Sequence, residues 1–149
     1  EALLDDRLDV IATDHAPHTL QEKQGSYEQA HSGLPLVQHS LPLMLQYCKE
    51  GKISIEKIAE KMSHAVADCF AIANRGYIRE GYFADLVVVD VNKPSTVTQQ
   101  NLLYKCGWSP LENFNFSASI EKTMVSGKLV YNNGVWDETV KGKRLLFNR

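Results

Sequence analysis

The run Asp9-Val10-Ile11-Ala12-Thr13-Asp14-His15-Ala16-Pro17-His18 constrains this chain more than any other stretch. Residues 9–13 are short, apolar and β-branched, which reads as a buried strand. That strand runs directly into an acid and two histidines. The polar, aperiodic stretch that follows, residues 14–33, is long for a connection inside a compact domain, and loops of that length are usually functional or disordered.

The rest of the chain separates into a helical part and a β part. Val37, Leu41, Met44 and Cys48 recur on one helical face. Pro42 must sit in the first turn of that helix or kink it, and Gly51 suits its C-terminal cap. Ser54 can cap a second helix carrying Ile55, Ile58, Ala59 and Met62, with Glu56 in its first turn. Val66, Cys69, Phe70 and Ala73 repeat the spacing in a third, ended by Asn74-Arg75-Gly76. Residues 84–91, 120–126 and 128–131 read as strands. Asn133-Gly134, between Val130-Tyr131 and Val135-Trp136, predicts a hairpin. The basic tail from Lys141 is expected to be peripheral. This order suits either one small α+β domain or the end of a barrel followed by a β domain.

Charge and composition narrow the partners. The 149 residues carry 16 basic and 18 acidic side chains, a formal net charge of -2, with no long run of one sign. Neither nucleic acid nor a membrane surface is favoured by that balance. No apolar stretch approaches the ~18 residues of a membrane span. Glu1-Ala2-Leu3-Leu4-Asp5-Asp6-Arg7 lacks the basic start and apolar core of a signal peptide. Cys48, Cys69 and Cys106 are odd in number and widely spaced, which predicts buried free thiols and a cytoplasmic protein.

The chemistry concentrates at residues 13–18. Parallel α/β barrels place catalytic groups at the C-terminal ends of their strands. A carboxylate there, such as Asp14, can bind a cation and take a proton. Pro17 stiffens the turn that aims His18. Taken alone, an acid after a strand is equally a turn residue or a helix cap, and His15-x-x-His18 lacks the further ligands of a structural zinc site. His15 reads as a group that orients the loop or Asp14. His39 and His64 read as surface or supporting groups, and Trp108-Ser109-Pro110-Leu111 as a packing segment between the two parts.

Residues 9–18, then Glu22-Lys23 and Gly33, resemble the last barrel strand and loop of class I dihydroorotases, in the amidohydrolase superfamily. The resemblance continues through Leu41-Pro42-Leu43 and through residues 76–90, Gly-Tyr-Ile-Arg-Glu-Gly-Tyr-Phe-Ala-Asp-Leu-Val-Val-Val-Asp. It closes with Thr123-Met124-Val125-Ser126-Gly127-Lys128-Leu129-Val130-Tyr131 and Gly134. The Asp-His-Ala-Pro-His run is specific to that branch, whereas the later Ala-Asp-Leu pattern is shared across the superfamily and also by hydantoinases and allantoinases.

The resemblance implies a fold of class α/β plus β. Residues 1–75 would be the C-terminal end of a metal-dependent (β/α)8 barrel, with its last strand, active-site loop and helices. Residues 76–149 would be strands of a small β-sandwich domain and a tail. It also implies reversible hydrolysis of L-dihydroorotate to N-carbamoyl-L-aspartate in pyrimidine biosynthesis, at a two-zinc site. Asp14 would bind one zinc and shuttle the proton, His18 would contact the substrate carboxylate, and Ser32 and Gly33 would meet the substrate through the backbone.

A barrel of this kind takes about 250 residues, and the other metal ligands of the family have no counterpart here. The chain is therefore expected to be a C-terminal fragment, inactive alone, unlikely to retain zinc, and prone to self-association through bare barrel surface. A homo-oligomer is the expected state of the whole protein. A catalytically dead scaffold relative, or a hydantoinase- or allantoinase-type amidohydrolase, is the alternative. Three departures stand out: His31 replaces a common Pro, Gln38 a common Glu, and Ala65-Val66-Ala67 a frequent Asn-Pro-Ala.

Overall fold

A computed structural model describes residues 1–148. Its first half is helical. A 3-10 turn, Val37–His39, leads into α2, Ser40–Lys49; the four-residue α1, Leu20–Lys23, precedes them inside the long loop. Pro42 stands in the first turn of α2, where its missing N–H leaves no carbonyl unpaired. Gly51, at φ +72, closes the helix, and the Lys52 N–H reaches the Tyr47 carbonyl at 2.9 Å. That left-handed position suits a residue without Cβ.

The face of α2 that is buried differs from the expected one. His39, Pro42 and Leu45 are buried, while Val37 is exposed. The cause lies opposite. His39 stacks on Phe116 with centroids 5.9 Å apart, and Gln46 Oε1 accepts the Ser117 N–H at 2.9 Å. The second half of the chain thus chooses the face.

The next two expected helices form one continuous run: α3, Ile55–Ala59, a π turn, Glu60–His64, and α4, Ala65–Cys69. Ser54 caps it by accepting the Lys57 N–H at 3.1 Å. In the π turn the Ala65 N–H bonds the Glu60 carbonyl, which absorbs an extra residue without ending the helix. The run closes in a Schellman motif: Ile72 N–H to Ala67 O at 2.8 Å and Ala71 N–H to Asp68 O at 3.1 Å, with Ala71 at φ +53.

Residues 9–13 do not form the expected strand. A strand is defined by its ladder, and no extended neighbour lies beside them among the described residues; instead the Ile11 N–H donates to Lys61 O at 3.0 Å. The segment before them is held by charge. Asp6 Oδ1 lies 2.8 Å from Lys57 Nζ and 2.9 Å from Lys61 Nζ, and the Lys61 side chain is only 4% exposed.

The β part is a four-stranded antiparallel sheet in the order β1-β4-β5-β6, with β1 Leu86–Asp90, β4 Ser119–Val125, β5 Lys128–Asn132 and β6 Val135–Trp136. The Asn133-Gly134 hairpin forms as expected, at φ +46 and +90, pairing Tyr131 with Trp136. A two-residue ladder, β2 Ser95–Thr96 with β3 Asn115–Phe116, had no legible periodicity. One four-stranded sheet and this two-stranded ladder make up the named strands of the described residues.

A polar clamp ties the two parts. Arg75 Nη1 donates to Asp85 Oδ2 and Nη2 to Ser126 Oγ at 3.1 Å, while Asp85 Oδ1 accepts the Ser126 N–H at 2.7 Å. The guanidinium also lies 4.2 Å from the Phe83 ring centroid. The Ala-Asp-Leu pattern thus has a structural purpose: its acid fixes the turn between β4 and β5 to the end of the helical part.

One smaller expectation stands and one is corrected. The tail is peripheral, with every described residue from Lys141 exposed, and it is tied back by Ala73 N–H to Leu146 O and Asn148 N–H to Ala71 O, both at 2.8 Å. Arg149, the last residue of that tail, lies outside the described residues. The three thiols are free, but Cys69 is exposed and the other two are half-buried. No helix among the described residues is long and apolar enough to cross a membrane.

Two outcomes follow from these contacts. Hydrogen bonds from Lys57 and then Lys61 hold the Asp6 carboxyl at about 2, below the ordinary 3.8. A depressed carboxyl adds stability above its unfolded value, and this is lost as pH falls through the folded one. Residues 1–8 should therefore detach as pH drops from about 4 to about 2, seen as loss of amide protection at Leu4 and Leu8; protection unchanged at pH 2 would contradict this. Asp85→Ala leaves the mostly buried Arg75 guanidinium without its carboxylate and should cost about 2–3 kcal/mol in chemical unfolding.

Candidate functional site

The loop of residues 14–33 has a defined shape because its two limbs are bonded to each other. Ala16 N–H donates to Leu34 O at 3.0 Å, and His15 and Leu34 form an isolated parallel bridge. His15 Nδ1 accepts the N–H groups of Leu36 at 3.1 Å and Val37 at 3.3 Å. An accepting Nδ1 places the ring proton on Nε2, so His15 orients the loop, one of the two roles read from sequence.

Between the limbs, α1 acts as a brace. Thr19 and Glu22 form a capping box: Glu22 N–H donates to Thr19 Oγ1 at 3.3 Å, and Glu22 Oε2 accepts Thr19 N–H at 2.7 Å and its hydroxyl at 2.8 Å. These bonds from Thr19 lower the Glu22 carboxyl below its ordinary range. Lys23 Nζ then reaches across to the carbonyls of His31 and, at 3.0 Å, Gly33. Gly33, at φ +86, packs so tightly on the first limb that a Cβ would stand 2.5 Å from that of Ala16.

The residues singled out in the sequence fall along this closed loop. Asp14 is exposed, at φ +45, with no hydrogen bond or ion pair to the described residues. Asp tolerates that left-handed backbone better than most residues. His18 is half-buried, stacked on His31 at 4.6 Å and 23°, with Nδ1 4.0 Å from Glu22 Oε2. Ser32 is exposed beside Gly33. The Gly33 carbonyl is engaged by Lys23, and no acceptor takes the Ser32 or Gly33 N–H among the described residues. His18, His31 and Gly33 are therefore brought to facing limbs, whereas Asp14 stands at the loop entrance.

The β part supports the loop through residues that sequence reading passed over or treated as packing. Trp108 Nε1 donates to the His18 carbonyl at 2.8 Å. Tyr104 is buried; its ring lies 5.2 Å from His15, and its hydroxyl accepts the Gln38 N–H at 3.0 Å and contacts His39 Nδ1 at 3.2 Å. Burial raises the Tyr104 hydroxyl and lowers the His39 imidazole, which favours both neutral. Gln38 Nε2 donates to Asn101 O at 2.8 Å, and its Oε1 accepts the Leu103 N–H at 2.9 Å. The only advance signal for these contacts was the residue type: Trp and Tyr bury a ring and still need a polar partner.

The loop carries donors of the kinds that hold metals, but they are not gathered into a set. A carboxylate such as Asp14 suits zinc, but no group of three His, Cys, Asp or Glu side chains is assembled among the described residues. His15 Nδ1 is occupied by two N–H groups. The set present does not amount to a metal centre. For the loop itself, Gly33→Ala should introduce both backbone strain and a clash, costing about 2–4 kcal/mol locally. The readout is faster amide exchange at Ala16 and Leu36; unchanged rates would show that the limbs are not coupled.

The amidohydrolase family matches residues 1–130. Dihydroorotase of Halobacterium salinarum is 37% identical over 131 residues, covering 88% of this chain and 31% of that protein. Dihydroorotase of Pyrococcus furiosus is 36% identical over 125 residues, 84% and 29% respectively. Among solved structures, a D-hydantoinase (dihydropyrimidinase) from Thermus sp. superposes with a TM-score of 0.85 at 23% identity, over 91% of this chain and 31% of that one. An L-hydantoinase from Arthrobacter aurescens gives 0.81 at 27%, over the same shares. The chain thus spans about a third of the length of the relatives it matches. With a family match across both halves and dihydroorotases similar over most of its length, this chain belongs to the amidohydrolase family.

Proposed function

We propose that the protein containing this chain is a cyclic amidohydrolase that interconverts L-dihydroorotate and N-carbamoyl-L-aspartate in pyrimidine biosynthesis. The observation that carries the reading is the closed loop, in which the Asp-His-Ala-Pro-His limb and the His31-Ser32-Gly33 limb are held side by side by Lys23 and by the packing of Gly33 on Ala16. Similarity to dihydroorotases over most of the chain supports the substrate class.

The residues take the following roles in this proposal. The Asp14 carboxylate, without a hydrogen-bond or ion-pair partner among the described residues, accepts a proton from the attacking water. Oxygen adds to the ring amide carbon, the C–N bond breaks, and Asp14 returns the proton to the departing nitrogen. The half-buried His18 imidazole meets the substrate carboxylate. The N–H groups of Ser32 and Gly33, unpaired among the described residues, are donors for the substrate's acceptor oxygens. Zinc, two per site, is the proposed metal, with Asp14 as one ligand and the others outside these residues; a bound zinc acidifies water and polarises the carbonyl.

The proposal includes the division at residue 75, a cytoplasmic setting and a homo-oligomeric whole protein. The apolar side chains left bare in this chain, such as Val37, Ile55 and Phe70, are its proposed self-association surface. Hydantoinase chemistry is the second reading, favoured by the superposition on the Arthrobacter aurescens L-hydantoinase.

The test is turnover of dihydroorotate, hydantoin and dihydrouracil by the full-length zinc-loaded protein. Dihydroorotate should be preferred, and Asp14→Asn should lower kcat by about 10²–10⁴-fold. Preference for hydantoin would select the second reading; no turnover of any would indicate a dead relative. The 149 residues alone should show neither turnover nor zinc retained after chelator washing, and either finding would contradict the assignment of one ligand.

A further inference from the structure

We propose that His31 is a positioning residue that holds the His18 imidazole ready for the substrate carboxylate; this rests on the proposed role of His18. The two rings are nearly parallel, 23° apart, with centroids at 4.6 Å. His31 is not placed there by its own side chain. Its N–H donates to Glu22 O at 3.3 Å, and its carbonyl accepts Lys23 Nζ. Both partners belong to α1, whose capping box fixes them.

Among the described residues His18 itself is anchored only at its backbone, where its N–H donates to Ala16 O at 2.9 Å and Trp108 Nε1 binds its carbonyl at 2.8 Å. Its ring lies 4.0 Å through Nδ1 from Glu22 Oε2, beyond hydrogen-bonding distance. An imidazole so placed would rotate about its side-chain bonds. The His31 ring forms a flat wall against one face, leaving the ring edge directed by the wall and the backbone anchor together. Pre-ordering one side chain in this way saves its immobilisation on binding. The saving appears in substrate affinity and not in the chemical step, because the carboxylate is bound equally in ground state and transition state. Any flat ring would serve as the wall, so the effect is one of shape.

The test uses the full-length protein with His31→Ala and His31→Phe, both at an exposed side chain. His31→Ala should raise KM for dihydroorotate about three- to tenfold with kcat unchanged, and His31→Phe should restore KM. An unchanged KM in His31→Ala, a failure of Phe to restore it, or an equal loss of kcat in both would overturn the proposal. If the unaltered protein does not hydrolyse dihydroorotate, the proposed function fails separately. The wall is then read directly from the His18 ring proton shifts in selectively labelled protein. They should move in His31→Ala and return towards their original positions in His31→Phe; shifts indifferent to both would overturn the wall.

Discussion

The close approach of Gly33 to Ala16 is the constraint on which the site depends. Residues 14–33 contain little that could fold alone: one four-residue helix, a few turns and many exposed polar side chains. A segment of that kind keeps one shape only if its ends are tied and its limbs meet. The absent Cβ at Gly33 lets the backbones meet, and Lys23 Nζ then donates to the carbonyls of both His31 and Gly33. The left-handed backbone at Gly33 follows from the same turn. Lys23 is consequently a structural cation, although it stands among residues whose proposed work is chemical.

The loop is also held from outside, and the supports come from the half of the chain with no proposed chemistry. Tyr104 faces His15 and receives the Gln38 N–H, Gln38 in turn ties the segment around Asn101 and Leu103, and Trp108 binds the His18 carbonyl. Each support is a buried or half-buried polar group with a complementary partner, the arrangement in which a hydrogen bond contributes most to a unique geometry. The β segment therefore does more than cover a helix. The arm 97–118 reaches from the sheet to α2 and the loop, while Arg75 and Asp85 fix the other end of the sheet to α4.

What could be read from the sequence was what local chemistry decides. The Ser54 cap, the Gly51 stop, the Asn133-Gly134 hairpin and the apolar strand at 86–90 depend on near neighbours and are present as expected. What failed needed a distant partner. Residues 9–13 have strand chemistry but no strand beside them here. The buried face of α2 was chosen by Phe116 and Ser117, some seventy residues away. The helical run 55–69 was divided wrongly because a π turn shifts the phase of its apolar side chains. At the site, the identity of Asp14 and His18 was legible from one motif, whereas the contacts of Tyr104 and Trp108 had no periodicity to announce them.

The three departures from the resembled family acquire physical meaning in this light. Gln38 serves as donor to the Asn101 carbonyl and acceptor from the Leu103 N–H; a glutamate would bring a negative oxygen against that carbonyl and lose the donor. Ala65-Val66-Ala67 continues directly from the π turn into α4, and a proline at position 66 would remove an N–H from the interior of that helical run. At position 31 a proline ring would fix the backbone by its own covalent geometry. Histidine lacks that restraint, and here the backbone is fixed instead by Glu22 O and Lys23 Nζ. The restraint has moved from the residue's ring to its neighbours' hydrogen bonds, which frees the ring to stack on His18. Loop shape and side-chain presentation are thereby separated in this chain, so a change at Lys23 disturbs the first and a change at His31 the second.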